Sequence, residues 1–212
     1  MGKWIVFEGS EGSGKSTTIA ALGAYLEQKN MQVEVTREPG GTALAESLRA
    51  LLLNPGQEEI MPITELLMIF AGRTQHLHHK ILPNLQKGKW VLCDRFIDAT
   101  FAYQGGGRGL PDHQIETLAQ WVVGSRKPDC IFLLDCPAEL GLARVRARYK
   151  ITPGAQLDRI EQEQLSFFQK VREKYLERAQ KEPDRYELIS SALPFSEVLN
   201  QVCAALYRRG WL

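Results

Sequence analysis

Phe7-Glu8-Gly9-Ser10-Glu11-Gly12-Ser13-Gly14-Lys15-Ser16-Thr17-Thr18 decides how the rest of the chain is read. Gly9, Gly14, Lys15 and Ser16 fill the spacing Gly-x4-Gly-Lys-Ser/Thr, the loop that cradles phosphates. In such a loop the glycines let backbone N–H groups curl round an anion, the lysine reaches the outer phosphates, and the serine hydroxyl ligates Mg²⁺. The flanks agree. Trp4-Ile5-Val6-Phe7 is a short apolar run of buried-strand type, and Ile19, Leu22 and Leu26 recur at helical spacing. The loop therefore joins a strand to a helix whose N-terminal dipole faces the phosphates. Residues 9–16 are read as a nucleoside triphosphate site, and the loop alone leaves kinase, motor and switch all open.

A chain of 212 residues, 44% of them apolar, can bury one good core, so residues 1–212 are expected to form a single domain. Lys+Arg 26 against Asp+Glu 25 leaves a net charge of +1. That balance argues against a broad basic surface for a nucleic-acid polymer or a membrane, so anion chemistry must be local. Cys93, Cys130, Cys136 and Cys203 make no C-x-x-C pair, as expected of reduced thiols in a cytoplasmic protein. The start Met1-Gly2-Lys3-Trp4 reaches Glu8 before a signal-peptide core forms, and no apolar stretch approaches a membrane span.

Further along, Gln32-Val33-Glu34-Val35-Thr36 alternates like a half-buried strand and delivers Arg37 and Glu38 into Pro39-Gly40-Gly41-Thr42. Local sequence favours a plain turn into a Leu44–Leu53 helix there. From Pro62 to about Leu85 a long helix is expected, with Leu66, Leu67, Phe70, Leu77 and Ile81 on its apolar stripe. Phe70 and Arg73 share a face, most simply as core packing beside a solvated arginine. His76, His78 and His79 lack a carboxylate at helical spacing and read as polar helix surface rather than a metal site.

Trp90-Val91-Leu92-Cys93 is another buried strand, and it ends in Asp94-Arg95, where ligands of open α/β sheets gather. Thr100-Phe101-Ala102-Tyr103-Gln104 runs into Gly105-Gly106-Gly107-Arg108-Gly109, which reads either as a hinge or as a ligand-binding turn. Asp112 is expected to cap a helix holding Ile115, Leu118 and Val122. Cys130 to Asp135 is the most apolar strand, and the helix after Pro137 carries Arg144, Arg146 and Arg148 ahead of an expected loop at Tyr149–Gln156. Such arginines can fold over transferring phosphates, although the helix dipole also favours them there. Asp158 to Ala179 reads as a charge-rich helix, Tyr186 to Ile189 as a last strand and Pro194 to Tyr207 as a closing helix. Strands alternating with helices imply a parallel sheet covered on both faces: a three-layer α/β/α fold with five strands.

The loop at Gly9–Ser16, together with Thr36-Arg37-Glu38-Pro39-Gly40-Gly41-Thr42, Asp94-Arg95-Phe96 and Tyr103-Gln104-Gly105-Gly106-Gly107-Arg108-Gly109 in that order, closely resembles the bacterial thymidylate kinases over essentially the whole chain. The resemblance implies a P-loop kinase fold, transfer of the γ-phosphoryl of ATP to dTMP with Mg²⁺ on the way to dTTP, and a homodimer. It also implies site residues. The loop from Gly9 through Ser10, Glu11, Gly12, Ser13, Gly14 and Lys15 to Ser16 would bind ATP. Phe70 would stack on thymine, while Arg73, Thr100 and Gln104 hydrogen-bond it and Tyr103 crowds the sugar. Arg37 and Arg95 would hold the acceptor phosphate, and Glu8, Ser16 and Asp94 would lie at Mg²⁺ or its waters. With no arginine inside the phosphate loop, the chain resembles the subgroup whose catalytic arginines come from a lid. That lid spans about 144–159, its candidates being Arg146, Arg148 and Arg159. Against the family's short link, Tyr149–Gln156 reads as an insertion.

Overall fold

The apolar runs become strands: β1 Trp4–Glu8, β2 Val33–Arg37, β3 Trp90–Asp94, β4 Cys130–Asp135 and β5 Tyr186–Ser190. In this computed structural model, which describes residues 2–56, 58–151 and 156–212, they form one parallel sheet in the order β2-β3-β1-β4-β5. Trp4, Val6, Val91, Cys93, Ile131 and Leu133 bury on one face, and Ile5, Phe7, Leu92, Phe132 and Leu134 on the other. This two-sided burial explains why the strands read as continuous apolar runs. α1 (Lys15–Gln28) and α9 (Phe195–Arg208) cover the second face through Ile19, Leu22, Leu26, Val198 and Val202. α8 (Leu165–Lys181) covers the first with Phe168, Val171 and Tyr175. The three-layer α/β/α arrangement is the expected one. β2 sits at the sheet edge, which leaves Val35 52% exposed rather than inward.

Several boundaries differ from expectation for identifiable reasons. α2 is Ala43–Leu53, and the long helix is α3 (Pro62–His76), a π-helical turn (Leu77–Ile81) and α4 (Leu82–Gln86). Pro83 brings no N–H and its ring crowds the preceding turn, which the widened π turn accommodates. On this helix Leu66, Phe70, Leu77 and Ile81 are buried, but Leu67 is exposed. α5 (Ile97–Thr100) runs into a second π-helical stretch, Phe101–Gly107. Its glycines are not a hinge: a Cβ on Gly107 would lie 2.4 Å from Phe167 Cε2, so glycine is what lets α8 pack there. In α6 (Asp112–Val122), Asp112 is the first helical residue and takes Lys174 Nζ at 2.7 Å instead of capping. α7 runs from Ala138 to Ile151, so Tyr149–Ile151 is helix where a loop was expected. Thr152-Pro153-Gly154 lies outside the described residues. The helix expected from Asp158 starts only at Leu165, because Asp158 Oδ1 takes the N–H groups of Ile160 (2.9 Å) and Glu161 (2.8 Å) into a local turn.

Candidate active site

A cleft of about 460 Å³ opens beyond the carboxyl ends of β1, β2 and β3, lined there by Glu38, Asp94 and Arg95. The phosphate loop forms its floor. Gly12 (φ 70°) packs so closely on α7 that a Cβ there would lie 2.1 Å from Gly141 O. The loop and the first turns of α7 thus form one packed unit.

Lys15 is buried and donates to Gly9 O and Ser10 O, each at 2.9 Å. Burial, with the Arg95 charge second, pushes its ammonium down to about 8. Ser16 Oγ donates to Asp94 Oδ2 at 3.0 Å, and Asp94 Oδ1 is buried without a partner. A hydroxyl beside a carboxylate oxygen that lacks a donor is the hard-oxygen set Mg²⁺ takes when phosphates and waters complete its shell. Ser16 and Asp94 therefore fit Mg²⁺. Glu8 does not: it is wholly buried beneath the loop, its Oε1 accepting from Phe96 N (2.8 Å) and its Oε2 from Tyr175 Oη (2.7 Å). Burial, then the Asp98 charge, raises the Glu8 carboxyl to about 7. Its assignment to Mg²⁺ is corrected to a support for the Arg95–Phe96 turn.

Arg95 itself adopts φ 68°, left-handed backbone that few side-chain-bearing residues take, and lines the cleft. Its guanidinium donates to Gly9 O (2.8 Å), Tyr175 Oη (3.1 Å) and Glu11 Oε1 (2.8 Å). Tyr103 Oη donates to the other Glu11 oxygen at 2.6 Å. One acidic side chain in the phosphate loop thereby gathers the arginine and tyrosine of the facing wall.

That wall is built by α3 and the π-helical stretch. Arg73, 2% exposed, donates through Nε to Glu38 Oε2 (2.7 Å) and through Nη2 to Thr100 Oγ1 (2.9 Å), while its Nη1 is buried and unpaired. Glu38 also takes His76 Nδ1 at 2.9 Å, and His76 Nε2 meets Thr36 Oγ1 at 2.6 Å. His76 is accordingly a buried strut between β2 and α3 rather than helix surface, while His78 and His79 are exposed. Among the described residues no cluster of His, Cys, Asp and Glu forms a metal cage.

Thr100, Tyr103 and Gln104 line the cleft as expected, but Phe70 does not. It is packed with Leu66, Phe101 and Ile115 in the interior. The residue that α3 turns to the cleft beside Arg73 is Ile69, four residues earlier and on the same helical face. Arg37 is also displaced: it pairs with Glu46 at 2.7 Å, its side chain 48% exposed, and opens on a neighbouring depression. The cation α2 supplies to the cleft is Arg49, held by Pro39 O at 2.8 Å. The only sequence signal for Arg49 is its helical register, three residues before the buried Leu52.

On the lid side the arginines separate. Arg144 lines the cleft and donates to Ser191 O (2.9 Å) and Gly12 O (3.2 Å). Arg148 also lines it, pairing with Glu161 at 2.8 Å. Arg146 is exposed and outside the cleft lining. Arg159 lies on the opposite wall, donating to Leu52 O (2.8 Å) and Glu65 Oε2 (2.5 Å).

This arrangement, a phosphate loop facing a cation-rich wall with an amide and a hydroxyl, suits a phosphoryl donor and a small phosphorylated acceptor. The comparisons agree. The sequence model of a family described as thymidylate kinase matches residues 7–202. The chain is 50% identical over 203 residues to a thymidylate kinase of Pseudomonas putida (strain W619), covering 96% of this chain and 95% of that one. To a thymidylate kinase of Alcanivorax borkumensis it is 48% identical, over 95% and 94% of the two chains. Among solved structures, a thymidylate kinase from Ehrlichia chaffeensis superposes with a TM-score of 0.76 at 33% identity, covering 97% of this chain and 98% of that one. The chain belongs to the thymidylate kinase family.

Proposed function

We propose that this protein transfers the γ-phosphoryl group of ATP to dTMP, giving dTDP and ADP, as a step toward dTTP. The observation that carries the reading is that one cleft holds both the Lys15–Ser16–Asp94 phosphate corner and, on its far wall, the unpaired Arg73 Nη1 next to Thr100 and Gln104. A phosphate monoester with second pKa about 6 is mostly dianionic at neutral pH and attacks without a general base. Catalysis then reduces to positioning and charge neutralisation. Lys15 holds the outer phosphates of ATP. Arg95 and Arg49 hold the acceptor phosphate, and Arg148 reaches across from α7 to the transferring group. Mg²⁺, held by Ser16 and Asp94, supplies charge neutralisation at the phosphate oxygens when bound. A nucleoside acceptor would need a base at its hydroxyl; Glu8 is sealed from the cleft, and Asp94 is the carboxylate assigned to Mg²⁺.

The expected result is dTDP and ADP in equal amounts from ATP, Mg²⁺ and dTMP. Activity on thymidine with none on dTMP sinks the reading, and so does hydrolysis of ATP indifferent to any acceptor.

Two finer points belong to the proposal. Leu44 and Leu51 on α2, Ile63 and Leu67 on α3, and Trp121 on α6 are exposed apolar side chains on helices that pack side by side. They are read as the interface of a homodimer, expected to appear by light scattering as twice the chain mass and to dissociate in Leu67→Glu. The compartment is read as cytoplasmic from the absence of disulfides among the four cysteines. No described helix is long and apolar enough to cross a membrane.

A further inference from the structure

We propose that Glu65 is a positioning residue that decides which base the acceptor site takes. It holds the amide nitrogen of Gln104, turning the Gln104 carbonyl oxygen toward the cleft. The site then selects a pyrimidine carrying N3–H, such as thymine or uracil, over cytosine, whose N3 is a bare acceptor. The inference rests on the dTMP reading above and adds the group that sets its specificity.

Glu65 lies in the first turn of α3 and is 1% exposed. The helix dipole favours an acid there, but it does not require a buried one. Its surroundings supply the reason. Gln104 Nε2 donates to Glu65 Oε1 at 2.5 Å, Arg159 Nη2 donates to Oε2 at 2.5 Å, and Arg108 Nε stands 3.5 Å away. The two guanidinium groups offset the cost of burying the charge. A carboxylate accepts and does not donate, so only the NH₂ end of the Gln104 amide can face it. An orientation that X-ray density leaves to inference is here fixed by chemistry. Reversing the amide would press two oxygens together.

The consequence appears on the cleft side. Gln104 lines the cleft, and among the described residues no donor reaches its Oε1. Arg73, which lines the same cleft and holds Thr100 through Nη2, keeps a buried and unpaired Nη1. The wall thus offers one acceptor next to one donor. The N3–H and O4 of thymine or uracil answer that pair. Cytosine sets its N3 lone pair against the Gln104 oxygen and its amino group against the guanidinium, leaving four buried groups without partners.

The test compares kcat and KM for dTMP, dUMP and dCMP in wild type and in Glu65→Gln. That variant faces Gln104 with a group that both donates and accepts, so the amide is able to turn. The dTMP over dCMP preference in kcat/KM should narrow about tenfold or more, through KM rather than kcat, with dUMP following dTMP. Because the effect passes through Gln104, the double variant Glu65→Gln/Gln104→Leu should narrow it no further than Gln104→Leu alone. Equal losses on dTMP and dCMP, leaving the preference unchanged, overturn the proposal and reduce Glu65 to a structural ion partner. If Glu65→Gln does not fold, ¹⁵N spectra of wild type decide. The Gln104 side-chain NH₂ signals should stay in place when dTMP is added, and a large shift on binding overturns the proposal. Wild type inert toward dTMP removes the kinase reading and this inference together, whereas an active wild type with unchanged preference in the variant removes this inference alone.

Discussion

Phe70 packs against Arg73, its ring 4.9 Å from the guanidinium carbon, and sits among Leu66, Phe101 and Ile115 rather than in the cleft lining. The aromatic ring therefore supports the arginine from the core and leaves Ile69 as the apolar side chain that α3 turns to the cleft.

Phe70→Leu should accordingly cost about 1–2 kcal/mol of stability, as core truncations do, while KM for dTMP stays within about threefold. Ile69→Ala should do the reverse, keeping the fold and raising KM for dTMP roughly tenfold through lost apolar contact. Denaturant titration and steady-state kinetics on both variants distinguish the two. A larger KM effect at Phe70 than at Ile69 would reinstate stacking on Phe70.

Lys15 gives a prediction in pH. Burial lowers its pKa to about 8, so in the ligand-free enzyme the ammonium is lost as pH rises past 8, whereas the triphosphate requires it charged. Apparent ATP affinity should be flat below pH 8 and then fall, approaching about tenfold per pH unit while the bound lysine stays protonated. ATP binding measured from pH 7 to pH 9.5 checks this. A flat profile would falsify the assignment of a buried, titrating Lys15.

Glu8 gives one in stability. Its folded carboxyl titrates near 7, above the ordinary 4.5, so between those values the folded state binds more protons than the unfolded chain. Stability from this group is fully present below about pH 4.5 and declines as pH rises toward 7. Glu8→Gln keeps an acceptor for Phe96 N and a donor toward Tyr175, yet it cannot ionise. The variant should therefore gain on wild type as pH rises from 5 to 7.5, seen as crossing or converging melting temperatures. A constant difference between the two proteins across that range contradicts it.

What the sequence made legible was whatever depended on local pattern. The phosphate loop needs glycines at fixed offsets, and the strands are buried on both faces, so both announce themselves over a few residues. The base wall was less legible, because neighbouring helical positions differ by about 100° in direction and one position decides cleft or core. Phe70 and Ile69 show this, both being apolar letters on one helix between which only packing chooses; Arg37 at the end of β2 and Arg49 on α2 are likewise told apart only by packing. His76 and Glu8 were missed for another reason. Their partners, Glu38, Thr36, Phe96 and Tyr175, lie tens of residues away in sequence, so nothing local marks them as interior.

The lid arginines are the last case, and here geometry ranks what spacing left level. Arg148 lines the cleft with its side chain 61% exposed, so its ion pair with Glu161, in the segment just past the lid, is screened at the arginine end and can be exchanged for phosphate oxygens. Arg146 is exposed and away from the cleft lining. Arg159 is tied to Leu52 O and to the buried Glu65, contacts that fasten its segment to α2 and α3. Arg148→Ala should lower kcat by about 10³-fold, the effect of removing an arginine that stabilises transferring charge. Arg146→Ala should change kcat less than about threefold. Arg159→Ala should act mainly through stability and KM for dTMP, since it leaves Glu65 short of a partner. Single-turnover rates at saturating ATP and dTMP separate the chemical step from binding. A kcat loss at Arg146 exceeding that at Arg148 would show that α7 turns a different face to the phosphates once both substrates are bound.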